Sequence, residues 1–142
     1  MEHKGQPKLA LRVKTRPNDA NKSGDIFGGW LMSQIDVAGA IAATHRAKGP
    51  VVTVAVKELK FIKPLYIYDI ASFYTKITHV GKTSITVNVE VYAERYHYKQ
   101  DETELLRIKV SDAILVYVAV SKPGEKRQIP AQETIELKRM DN

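Results

Sequence analysis

Asp36 is the residue of this sequence best placed to do chemistry. It is the single charge in the nineteen-residue run Ile26–Thr44 and sits among the small residues Val37, Ala38, Gly39 and Ala40. A carboxylate in such surroundings is partly desolvated, which suits a general base or a nucleophile. The same placement also suits a structural carboxylate held by a loop amide or a counter-ion. Gly28 and Gly29 stand near the start of the same run. Lacking side chains, they let a ligand approach the main chain, and the unpaired N–H groups of a helix start favour negative charge. That start reads as an oxyanion hole or phosphate site, or as a plain tight turn into a helix. Gly29 and Asp36 are seven residues apart, so on a helix they share a face but are separated by about 10 Å along the axis. A single reacting carbonyl cannot touch both within one chain. If both act on one bond, they come from two chains set head to tail.

Other chemistries are excluded by what is missing. The 142 residues contain no cysteine, which removes disulfides, Cys-ligated zinc, iron–sulfur clusters and thiol nucleophiles. No G-x-S-x-G elbow, P-loop or G-x-G-x-x-G run occurs, and His3, His45, His79 and His97 lack metal-ligand spacing. No metal is therefore expected. The net charge of +6 favours an anionic partner without selecting one. Basic and aromatic residues interleave from Tyr92 to Lys99, which would suit base stacking, but no nucleic-acid recognition motif accompanies them and none is expected as a partner. Met1–Lys8 is polar, with no apolar leader, and Asp36 lies mid-span in the one run long enough to cross a bilayer. These features predict a cytoplasmic chain without membrane insertion.

The elements that must position these residues follow from periodicity. Leu9, Leu11 and Val13 alternate as a first strand, and Arg16–Asp25 is a loop rich in turn residues. A helix is predicted from about Gly28 to Lys48. Leu31, Ile35, Ala38 and Ala42 form one face, with Trp30, Val37 and Ile41 beside it, and Gly49-Pro50 is the stop, with Gly49 as its left-handed residue. Strand signals follow. Val52, Val54 and Val56 change parity to Leu59 and Phe61, which implies a bulge near Lys57–Glu58, and Lys63-Pro64 ends that strand. Asp69–Val80 is a strand, Gly81-Lys82 a turn, and Thr83–Ala93 a strand with Ile85, Val87, Val89 and Val91 on one face. Arg95–Glu104 is expected as a loop or hairpin tip and Leu105–Val120 as a last strand. A charged tail from about 121 adds a short helix or stays free. The fold class is α+β: one domain over 1–142, with a long central helix wrapped by a five-stranded antiparallel sheet.

The run Ala113–Val120 (AILVYVAV) is apolar on both strand faces. One helix covers only one of them. The other needs a second subunit or the tail, which predicts a homo-oligomer.

Three segments, Ser23–Ala43, Val51–Asp69 and Val80–Glu94, resemble the hotdog-fold acyl-CoA thioesterases of the YciA type, a likeness running from about Leu9 to Pro130. The resemblance implies hydrolysis of the thioester of acyl-coenzyme A over a broad acyl range, a role in fatty acid metabolism, and no cofactor. It implies a dimer as the catalytic unit, assembled as a trimer of dimers into a homohexamer. By the same likeness Asp36 is the catalytic carboxylate, acting as general base on water or as nucleophile. Gly28 and Gly29 are the other subunit's helix start, whose amides polarise the thioester carbonyl. Asp25 stands where some related enzymes carry an Asn that works with the Asp across the interface. Thr53 and Val54 match strand positions lining the acyl and pantetheine channel. Phe61, Lys63 and Pro64, and Gly81, Lys82 and Ser84, match loops that contact coenzyme A, with the two lysines at its phosphates. The alternative is a non-catalytic acyl-CoA-binding hotdog module, against which the presence of Asp36 counts.

Overall fold

The structure is a computed structural model that describes residues 5–132 together with Lys138 and Met140. Six strands and one long helix follow in the order β1 (Lys8–Lys14), α1 (Gly28–Ala47), β2 (Val51–Phe61), β3 (Ile70–Val80), β4 (Ser84–Lys99), β5 (Glu102–Lys122) and β6 (Glu125–Lys126). All pairings are antiparallel, in the order β1-β3-β4-β5-β2, with β6 added along β5. The expected sheet of five strands is therefore present, with a two-residue sixth formed where the chain turns back at Gly124. That turn needs φ of 81°, which glycine adopts without strain.

α1 lies across the inner face of the sheet. Its Leu31, Ile35, Ala38, Ala43 and Ala47 are buried, packed with Phe73, Ile85, Val87, Val89, Val91, Leu115 and Tyr117. The buried face thus passes through Ala43, while Ala42 is only half-buried, and Val37 of the neighbouring stripe stands 47% exposed. The helix ends on Lys48 in the left-handed region (φ 55°), not on Gly49. Gly49 instead lies against the end of the Arg127 side chain. A Cβ there would lie 2.9 Å from Arg127 Nη2, whose guanidinium donates to the carbonyls of Ala47 (2.8 Å) and Val120 (3.2 Å) and so clamps the helix end to β5.

Two further differences concern strand length. Arg95–Glu104, expected as a loop or hairpin tip, is a hairpin with only a two-residue tip: β4 runs to Lys99, β5 starts at Glu102, and the tip is Gln100–Asp101. Tyr96, Tyr98 and Leu105 on this hairpin are exposed, so burial does not hold it; the ladder does, running out to Lys99↔Glu102. The tail folds back far enough to bury Ile129, whose N–H donates to Lys82 O at 2.8 Å. A helix in the tail beyond that falls on 133–137, outside the described residues.

The bulge near Lys57–Glu58 is present, and a second lies between Thr53 and Ala55. On β5, Val118 and Val120 are buried beside β6, whereas Ile114 and Val116 on the same outer face are half-exposed. The tail therefore covers one end of the two-faced apolar strand and leaves the rest uncovered within the protomer. Among the described residues no helix is long and apolar enough to cross a membrane.

Candidate active site

The two bulges of β2 decide what faces the helix. Each inserts one unpaired residue, Val54 and Lys57, into the ladder with β5. Thr53 pairs with Tyr117, and after the extra residue Val56 pairs with Leu115. Thr53, Val56, Leu59 and Leu115 then line a cavity of about 230 Å³, closed on its other side by Gly29, Met32, Ser33, Ile35 and Asp36 of α1. A larger cleft of about 520 Å³ near the C-terminal half of α1 is rimmed by Lys8, His45 and Lys76, but among the described residues no carboxylate lines it and no helix start opens into it. The smaller cavity is where the chemistry-bearing residues meet.

Asp36 is half-buried at that cavity. Thr53 Oγ1 donates to its Oδ1 at 2.7 Å. Tyr117 Oη lies 2.8 Å from the Asp36 carbonyl oxygen and 3.2 Å from Oδ1, and its single proton is shared between these two acceptors in a bifurcated hydrogen bond. Tyr117 is wholly buried, and burial, followed by the adjacent Asp36 charge, pushes its hydroxyl far above the usual tyrosine range. It is therefore a neutral donor wherever the protein is folded. Its ring reaches the helix through Gly39: a Cβ there would lie 2.9 Å from Tyr117 Cζ and would collide with the hydroxyl.

The helix start is open on the same side. Phe27 is the N-cap and gives no side-chain cap, so the first N–H groups of α1 have no intrahelical partner. Nothing lies within 4 Å of a Cβ built on Gly29, whereas the Phe61 ring sits 3.4 Å from one built on Gly28. The segment leading into this turn is braced. Ile26 N–H donates to Leu65 O at 2.8 Å, and Asp25 bridges to Tyr66 through the main chain. The 62–69 loop is fixed in turn by Asp69, only 2% exposed, which accepts Arg95 Nε (2.9 Å) and Nη2 (2.6 Å) and the Tyr66 N–H (2.8 Å). The upstream turn is shaped by Asn21 Oδ1, which accepts the N–H groups of Ser23 and Asp25.

The predicted residues therefore divide. Asp36 and Thr53 meet at the cavity, which Gly29 also lines, whereas Gly28 and Phe61 pack on each other at the helix start outside that lining. Lys63 and Pro64 follow in the loop just beyond, exposed, with Pro64 O accepting from Arg95 at 3.3 Å. Asp25 contributes main-chain contacts to the turn. Val54 is the extra residue of a bulge, 55% exposed, and does not line the cavity. Gly81, Lys82 and Ser84 lie at the other end of the protomer: Gly81 N–H closes its turn on Ser84 O at 2.8 Å, and Lys82 O accepts from Ile129 beside the helix C-terminus. About 30 Å of helix separates this turn from Gly28. Sequence reasoning did not single out Tyr117 or Asn21. The signal for Tyr117 was a lone hydroxyl in AILVYVAV, and its partner was a glycine mid-helix.

Among the described residues no three histidine, aspartate or glutamate side chains gather as a metal site. The sequence profile of the thioesterase superfamily matches residues 23–97. The acyl-CoA thioester hydrolase YciA of Salmonella typhimurium is 41% identical over 132 residues, covering 93% of this chain and 97% of its own. A hexameric hotdog-fold thioesterase of Campylobacter jejuni superposes with a TM-score of 0.81 at 41% identity, covering 87% of this chain and 90% of its own. A hexameric broad-specificity acyl-coenzyme A thioesterase gives 0.79 at 42%, covering 91% and 85%. With a profile matching more than half its residues and a relative this similar along nearly all of them, the chain belongs to the thioesterase superfamily and adopts the hotdog fold.

Proposed function

We propose that this protein is an acyl-CoA thioesterase, releasing a free acid and coenzyme A from acyl-CoA with a broad acyl range. The observation that carries the reading is the solitary half-buried carboxylate, Asp36, set in an apolar cavity, on a helix whose starting amides have no side-chain cap. Thioester hydrolysis requires those parts: an activated oxygen nucleophile, donors for the developing oxyanion, and a dry channel. Asp36 either takes a proton from water, whose oxygen attacks the acyl carbon, or attacks that carbon itself to form an anhydride that water then opens. In both routes the N–H groups at Gly28 and Gly29 hold the oxyanion, the carbon–sulfur bond breaks, and the thiolate of coenzyme A leaves. This chemistry calls for no cofactor.

The carboxylate and the amides come from different copies in this reading, because two helical turns separate them within one copy. The edge of β2 supports that arrangement, since this eleven-residue strand is paired with β5 on one side only among the described residues, and its open side, with exposed Val52, Val54 and Val56, suits antiparallel pairing with a second copy. The hexameric relatives support a trimer of such dimers. Lys63 and Lys82, at opposite ends of one protomer, meet on the phosphates of a single coenzyme A only when they come from two copies. The same reading places the protein in the cytoplasm, where acyl-CoA is available and a cysteine-free chain has no need of an oxidising compartment.

The test is thiol release from straight-chain acyl-CoAs of graded length, with Asp36→Asn in parallel. The parent protein turns over several chain lengths, and the variant loses about a thousandfold in kcat while still binding acyl-CoA. Absence of thiol release at every length, or parental kcat in the variant, overturns the reading.

A further inference from the structure

The two oxygens of the Asp36 carboxylate are not equivalent. Among the described residues every hydrogen bond to the group falls on Oδ1, from Thr53 at 2.7 Å and Tyr117 at 3.2 Å, and none falls on Oδ2. Thr53 and Tyr117 are cross-strand partners on β2 and β5, so the ladder aims both hydroxyls at one point. Tyr117 also holds the carbonyl oxygen of the same residue at 2.8 Å, gripping Asp36 by main chain and side chain together.

We propose that Tyr117 is a positioning residue for the hydrolysis. Its hydroxyl, with that of Thr53, pins Oδ1 so that Oδ2 alone is presented to water or to the acyl carbon. The hydroxyl is buried in a site where phenylalanine would fill the same ring space without burying a polar atom. It is admitted only because residue 39 lacks a side chain. Both features serve the contact with Asp36, since Asp36 is the only residue to which the Tyr117 hydroxyl is hydrogen-bonded among the described residues. Because burial keeps the hydroxyl protonated, it acts as a fixed donor and exchanges no proton with substrate.

The inference rests on Asp36 being the reacting carboxylate, and the experiment separates the two. Tyr117→Phe, Asp36→Asn and the double variant are assayed for kcat and KM, with melting midpoint and assembled mass recorded. The expected result for Tyr117→Phe is a fall in kcat of about tenfold, the scale of a hydrogen bond to a charged group, with KM and assembled mass unchanged. In the Asp36→Asn background the same substitution leaves the residual kcat unchanged, because the group it positions is gone. A protein carrying 3-fluorotyrosine at 117, which retains ring and hydroxyl, keeps kcat within threefold of the parent. The proposal is overturned if Tyr117→Phe keeps kcat within twofold while Asp36→Asn is inactive, or if it lowers kcat equally in both backgrounds. Parental kcat in Asp36→Asn overturns instead the assignment of Asp36.

Discussion

β4 and β2 are built from similar residues yet fare very differently. In β4, Ile85, Val87, Val89 and Val91 are fully buried against α1, and the residues between them, Ser84, Thr86, Asn88 and Glu90, stand on the other face at half exposure. Its outer face is polar and internally paired, with Lys109 bridging Glu90 and Asp112 at 2.9 Å each. In β2, Val52, Val54 and Val56 have comparable side chains and all are exposed. The difference is position in the sheet: β4 lies between β3 and β5, whereas β2 is an edge. A central strand completes its alternation within one chain. An edge strand with an apolar pattern has been given residues whose burial a second chain must supply. β2 is also the strand that carries Thr53 to Asp36, so the part of the sheet that the protomer leaves unfinished is the part beside the candidate site.

The contrast can be broken by making one chemical change in both strands. Val89→Asp places an unpaired carboxylate in the core, where the penalty is about 4 kcal/mol or more. No cooperative melting transition is expected, and a native-like far-UV spectrum with a sharp melt would contradict the reading of β4. Val54→Asp, on a residue that is 55% exposed, changes protomer stability by about 0.5 kcal/mol or less. It should nevertheless shift the mass seen by sedimentation velocity from the assembly to the single chain. An unchanged assembly would show that the β2 edge is not where copies meet.

The smallest effect sharpens the comparison at the boundary between β2 and β5. Tyr117 has its hydroxyl held protonated in the folded state, above its ordinary value of 10.0. Above that pH the unfolded chain releases the proton and the folded one does not, so stability is complete below about 10 and falls as pH rises further. Tyr117→Phe should therefore flatten the alkaline decline measured by urea melts between pH 9 and 11, roughly the span of the ordinary tyrosine titration. An identical slope in both proteins would argue that the hydroxyl is not buried as described.

Much of this molecule was legible one element at a time. The helix from Gly28, the alternation of β4, the bulge at Lys57–Glu58 and the isolation of Asp36 are all properties of residues close together in the chain. Arg95–Glu104, expected as a loop or hairpin tip, is a hairpin whose strands run further than the pattern shows, because its residues are polar or exposed and the ladder of Arg95–Lys99 with Glu102–Leu106, not burial, holds them in strand. Gly49 was assigned the left-handed turn that Lys48 makes, because nothing local reveals that Arg127, far along the chain, will occupy the space beside it.

The sequence by itself marked the helix and the cores of the five main strands and set Asp36 apart as the one charge between Ile26 and Thr44, because those features depend on spacings of two to four residues. Only the tertiary structure brought Thr53 and Tyr117, 17 and 81 residues from Asp36 along the chain, onto one carboxylate oxygen and sent the Gly81–Ser84 turn to the far end of the helix. Those outcomes depend on which strands pair and in what register. Register here is set by bulges and by packing against the helix, so it exists only once the whole sheet has closed around α1.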